Sequence, residues 1–322
     1  CEGAAPASDW WTWEQEGKVP RSGDGNDFGT RYAGDFDRYV ALGLTHHRLS
    51  MEWARIEPEP GRRDEAAVEH YRDVLHAAGD AGISPWVTLH HFSLPRWFMA
   101  DGGFLDEQNR TEVWARHVDF VAETYGELVH GWKPVNETNW YAALGYGLGQ
   151  IPPGRTDPDD AALAAEAMHL ATAEAAVRLK QTGKPVSSIF GLAGLLPLDD
   201  TPETQAQVEP LDRMVYGNGL GLFREGVLHV EGRAPVERPD LAGAFDLLGF
   251  SFYFTWGVRD GRLLFSYPED AETSPLGYGI WADGLGLVLD RLHEEVPGTP
   301  ILVAEYGIGT DDDAERAAYL RR

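Results

Sequence analysis

The chain has 322 residues, 43% of them hydrophobic, with 37 glycines, 20 prolines and 11 tryptophans. That composition supplies a large packed core and excludes a disordered chain or a disulfide-held miniprotein. Lys and Arg total 27 against 52 Asp and Glu, a formal net charge of −25, so nucleic acid and anionic membrane surfaces are not expected partners. Cys1 is the single cysteine, which rules out an internal disulfide and a zinc site built on several thiolates. A chain opening on Cys1 fits a fragment boundary better than a lipidated terminus. No run of about 18 apolar residues and no signal-peptide profile occurs, and the expected location is cytoplasmic.

In chain order, short stretches rich in β-branched and aromatic residues predict strands over residues 44–50, 83–90, 132–136, 186–192, 245–253 and 301–305. Helical periods lie between them. Over residues 64–81, Ala67, Tyr71, Val74, Leu75 and Ala78 share one face, and residues 119–129 and 159–181 are similar. Apolar strands alternating with helices predict an α/β fold with a parallel sheet and helices packed outside it. No linker divides the chain, so residues 1–322 are expected to form one domain. A repeat of roughly 50 residues leaves room for long loops after the strands, where a parallel barrel places its site.

Polar residues collect at those strand ends: Arg48 and Glu52, His90 and His91, Asn136 and Glu137, Glu305 and Tyr306. Two glutamates on separate strand ends suit glycoside cleavage, in which one carboxyl protonates the leaving oxygen and the other captures an oxocarbenium-like centre. With 52 acidic residues, such a pair is weak evidence by itself. The pairs His46-His47 and His90-His91 suggest a metal-dependent hydrolase less well, since neighbouring side chains on a strand point to opposite faces. His47 is expected to be packed or solvated, and Trp53, Trp97, Trp114 and Trp132 to fill core. Glu52, four residues beyond Arg48, is expected to serve as an ion-pair partner. The sequons at Asn109 and Asn136 are expected to be accidental.

Here the chain resembles glycoside hydrolase family 1, the β-glucosidase family. The resemblance runs from Trp10 through Tyr319 on landmarks in order: Ser22-Gly23-Asp24, Arg48 to Pro58 (RLSMEWARIEP), Thr88 to Pro95 (TLHHFSLP), Trp132 to Glu137 (WKPVNE), Gly145 to Gly149 (GYGLG), Asp246 to Tyr253 (DLLGFSFY) and Ala304 to Gly307 (AEYG). It implies a (β/α)8 TIM barrel and a retaining β-glycosidase, with Glu137 as acid/base and Glu305 as nucleophile. It also implies that Asn136 holds the sugar 2-hydroxyl, that Arg48 and Tyr253 contact the nucleophile and that His91 binds sugar. Trp140, just beyond the acid/base, is a candidate for stacking on an aglycone. Arg48 is expected to keep Glu305 ionised, and a neighbouring charge with partial desolvation to hold Glu137 protonated. The implied substrate is a small-molecule or oligosaccharide β-glycoside, β-glucoside-like, with no metal and no organic cofactor. The alternative is an inactive carbohydrate-binding barrel fragment.

The chain departs from the family pattern at Thr138 (usually Pro), Ser251 (usually Asn), Ala304 (usually Thr) and Tyr306 (usually Asn), which implies an outlying branch. A first strand ending in Gln before Glu2-Gly3, and an eighth bearing Glu-Trp, are both absent from the sequence. A barrel lacking strands 1 and 8, with two exposed edges, is therefore expected.

Overall fold

All six predicted strands form in a computed structural model that describes residues 2–322; the reading of Cys1 falls outside those residues. In chain order the strands are β1 (His46–Ser50), β2 (Ser84–His90), β3 (Gly131–Val135), β4 (Phe190–Pro197), the short pair β5 (Val227–Leu228) and β6 (Val236–Glu237), β7 (Leu248–Arg259), β8 (Arg262–Leu264) and β9 (Ile301–Tyr306). Contacts group the chain into two compact units. One holds the residues up to Asn136 with Trp140–Ser187, and the other holds Glu137–Asn139 with Ser188–Arg322.

In the first unit β1, β2 and β3 pair in parallel, with Arg48 opposite Trp86 and Val87 opposite Trp132. Every residue of β3 is buried, as are six of the seven in β2, the pattern of strands covered on both faces. Helix Glu65–Asp80 starts where Asp64 Oδ1 accepts from the amides of Ala66 and Ala67, satisfying two otherwise orphaned donors. Its buried face is Val68, Tyr71, Val74, Leu75 and Ala78, so Val68 takes the inward place expected of Ala67. The helix expected over residues 119–129 is Ala115–Tyr125, extended backwards by a wider turn at Asn109–Trp114. That expected over residues 159–181 is Pro158–Leu179, capped by Asp157. Trp53, Trp114 and Trp132 are fully buried, and His47 stacks on Tyr39 at 5.2 Å.

Gly131 faces Trp86 so closely that an added Cβ would stand 2.4 Å from the indole. Gly131→Ala should cost about 1–3 kcal/mol through this overlap and lower the thermal midpoint by several degrees; an unchanged melting curve would contradict the packing.

Asp9 is buried just after the Ser8 cap of helix Asp9–Gln15. Its Oδ1 accepts from the amides of Trp10 (2.8 Å) and Leu94 (3.1 Å), whereas Oδ2 has no partner among the described residues. Burial pushes this carboxyl up to about 8 from an ordinary 3.8. The folded form keeps the proton while the unfolded form releases it. The contribution to stability is therefore complete below about pH 4 and is withdrawn as pH climbs towards about 8, at up to about 1.4 kcal/mol per pH unit. Asp9→Asn should flatten this fall, read as the urea midpoint between pH 5 and 8; an unaltered slope would assign the proton elsewhere.

In the second unit β4, β7 and β9 pair in parallel, and β8 adds antiparallel to the far end of β7. Two boundaries differ from expectation. The strand expected over residues 186–192 begins four residues late, at Phe190. Val186 forms an isolated bridge with Trp132, and the Ser188 hydroxyl donates to Gly249 O at 3.0 Å. The strand expected to end at residue 253 continues to Arg259 and turns at Asp260-Gly261, both with positive φ (48° and 69°), into β8. Asp-Gly is the dipeptide that a two-residue hairpin favours, so the turn was present in the sequence.

Candidate active site

The first unit brings together the ends of its three strands. Arg48 Nη1 donates to Asn136 Oδ1 at 2.7 Å, and the Asn136 amide donates to His90 O at 2.8 Å. The Ser50 hydroxyl and His91 Nδ1 lie 3.0 Å apart. Side chains from β1, from the residue after β2 and from the residue after β3 are thus linked in pairs. His90 goes the other way. It is buried edge-on to Tyr141 at 4.7 Å, and burial lowers its imidazole to about 3, so it stays neutral. Only one histidine of that pair is presented at the strand end, as strand alternation demands. Trp140 lies half-buried on helix Thr138–Ala142.

Glu52 does not pair with Arg48. It is the N-cap of helix Trp53–Ile56, accepting from the Ala54 amide at 3.1 Å, and its carboxyl is raised, chiefly by burial. A capping carboxylate satisfies an orphaned helix donor, a role that spacing from an arginine does not reveal. Asn109 and Asn136 are both buried, which disqualifies them as glycan acceptors. Among the described residues no group of three or more His, Cys, Asp or Glu is arranged to hold a metal ion, and no helix is long and apolar enough to cross a membrane.

The second unit carries both candidate carboxylates. Glu137 has φ of 45°, left-handed backbone that glutamate rarely adopts and that gathers at functional sites. The turn is held from both sides. The Glu137 amide donates to Ile189 O at 2.8 Å, the Asn139 side-chain amide donates to Gly191 O at 2.8 Å, and Gly191 N donates back to Asn139 Oδ1 at 3.0 Å. Gly191 is in register with Ser251 on β7, and Ser251 with Glu305 on β9. The Tyr253 hydroxyl donates to Glu305 Oε2. A neutral donor on that oxygen fixes the orientation of the carboxylate.

Two of the departures from the family pattern, Thr138 and Tyr306, have local explanations. Thr138 opens helix Thr138–Ala142, a first-turn position that suits proline without requiring it. Tyr306 stacks on Tyr319 at 4.8 Å, and its hydroxyl donates to Tyr319 O at 3.5 Å. It therefore packs strand against helix on the face opposite Glu305. Ser251 leaves its buried hydroxyl without a partner among the described residues.

Tyr278 escaped sequence reading. It packs against Phe254 at 5.3 Å, and its hydroxyl is raised by burial and then by the charge of Glu137, which puts it close to that carboxylate. It lies in the irregular stretch before helix Gly284–Glu295, where no period marks it.

The profile of glycosyl hydrolase family 1 matches residues 9–233. Coniferin β-glucosidase of Pinus contorta is 29% identical over 76% of this chain, which spans 55% of that protein's length. A bifunctional β-D-glucosidase/β-D-fucosidase of Bifidobacterium breve is 27% identical over the whole chain and 80% of its own length. Among solved structures, the β-glycosidase from Pyrococcus horikoshii superposes with a TM-score of 0.88 at 27% identity, covering 99% of this chain and 75% of that one. The fold is accordingly the (β/α)8 barrel fold of these glycosidases. With the profile extending over more than half of its residues, the chain belongs to glycosyl hydrolase family 1.

Proposed function

We propose that the protein is a retaining β-glycosidase acting on β-glucoside-like small molecules or oligosaccharides, with Glu137 as acid/base and Glu305 as nucleophile. The observation that carries this reading is the row of backbone partners running from the Glu137 turn through Gly191 and Ser251 to Glu305, whose carboxylate Tyr253 holds. That row crosses two to three strand spacings of about 4.8 Å each. A covalent intermediate requires the two carboxyls to stand roughly 5–5.5 Å apart.

In the first half-reaction a Glu305 oxygen bonds to the anomeric carbon, the glycosidic C–O bond breaks, and the Glu137 proton goes to the departing oxygen. In the second, Glu137 takes a proton from water as the water oxygen displaces Glu305, restoring the original anomer. Asn136, tied to Arg48, offers an amide to a sugar hydroxyl. His91 and Trp140 supply a further polar contact and an aromatic face. All of this needs no redox partner, and each step conserves protons.

The test is release of nitrophenol from 4-nitrophenyl β-glucoside, with NMR of the first-formed sugar. The expected result is β-glucose, insensitive to chelator. Initial release of the α-anomer would overturn the retaining assignment. Binding without release would favour the carbohydrate-binding alternative.

A further inference from the structure

We propose that a cavity on the first unit, sharing none of its lining residues with the site above, is a second saccharide-binding site built around Trp97. The cavity measures about 670 Å³, and its walls include Pro60, Gly61, Trp97, Asp101, Val113 and Arg116. That is within the range of small-molecule sites.

Three of those walls are fixed by one buried residue. Glu57 is 4% exposed. Its main-chain oxygen accepts from Trp97 Nε1 at 2.8 Å. Its carboxylate accepts from Gly61 N at 2.7 Å, from Arg116 Nη2 at 2.9 Å and from Trp53 Nε1 at 3.1 Å. Trp97 also packs edge-to-face on the fully buried Trp53 at 5.6 Å. Its indole is therefore locked in orientation while remaining only half-buried, so little ordering entropy is left to lose on binding.

The chemistry of the walls selects the ligand. An indole offers an apolar face to the C–H surface of a pyranose. Asp101 is exposed, and its carboxylate has no partner among the described residues. It only accepts hydrogen bonds, whereas Arg116 only donates them and keeps N–H groups beyond the one used on Glu57. Sugar hydroxyls do both. One negative and one positive group leave the cavity without a dominant charge, and the net −25 of the chain repels anions, so a neutral polyol is favoured over a phosphate or an amine. The neighbouring groove has lost that freedom to itself. Its Arg63 lies over Phe120 at 3.7 Å, and its Arg178 grips both oxygens of Asp119.

The test uses the 322-residue chain carrying 5-fluorotryptophan and Glu305→Gln to keep ligand intact, with cellotetraose as probe. The Trp97 fluorine resonance is identified by its loss in Trp97→Phe. The expected result is a saturable shift of that resonance, with Asp101→Ala weakening the apparent affinity about five-fold or more. Asp101 is exposed and its main-chain oxygen alone holds Asn109, so this variant keeps its fold. A resonance unmoved at about 50 mM probe, far above the dissociation constant of any specific site, or one titrating identically in Asp101→Ala, overturns the proposal. The hydrolytic reading is judged separately by nitrophenol release: a chain that turns over nothing yet shifts the Trp97 signal loses that reading and keeps this one.

Discussion

Glu305→Ala is expected to lower turnover of an activated β-glucoside by more than about 10⁴-fold, the scale at which removing a nucleophile acts. Azide should restore aglycone release and yield the α-glycosyl azide, because the small anion occupies the space left by the carboxylate and attacks the same face of the sugar. The measurement is aglycone release with NMR of the azide product. Loss of activity without that product, or formation of its β-anomer, would remove Glu305 from the nucleophile role. The Tyr253 hydroxyl donates to Glu305, so the variant gives up that hydrogen bond and a small loss of stability should accompany the loss of chemistry.

Glu137→Ala is expected to cost about 10² to 10⁴-fold with substrates whose leaving group needs a proton, the usual contribution of a general acid. The loss should be far smaller for the first step with 2,4-dinitrophenyl β-glucoside, whose leaving group departs as a stable anion. With azide present, this variant should give the β-glycosyl azide, since the nucleophile remains and azide replaces the water that Glu137 would activate. Pre-steady-state release with the two leaving groups decides the matter: an equal loss for both would show that no proton transfer had been removed.

Most of the strand order was legible because burial leaves a mark in composition. In β2 and β3 nearly every residue is buried, and such runs of apolar residues stand out against Gly and Pro boundaries. The delayed start of β4 was not legible: Val186 and Ile189 look like strand residues, yet the Ser187 amide bonds back to Trp132 and Ser188 binds Gly249. Those partners are distant in sequence, and tertiary hydrogen bonding overrode local propensity.

The motifs that singled out Arg48, Asn136, Tyr253 and Glu305 made a candidate site legible, and the structure joins Arg48 to Asn136 and Tyr253 to Glu305. It was illegible where a side chain's job is set by three-dimensional neighbours. Glu52 turned out to cap a helix. Trp97, grouped with core tryptophans, has three-walled surroundings organised by Glu57, and Tyr278 reaches Glu137 from a stretch without regular period.

The left-handed backbone at Glu137 has an evolutionary consequence. A glycine there would relieve about 1 kcal/mol of steric strain, so the residue most favourable to the fold at this position is one that has no carboxyl. Under the acid/base role proposed above, hydrolysis and folding favour different residues at this single position. A chain selected for its fold alone would be expected to drift towards glycine or asparagine at this position, whose backbone is left-handed.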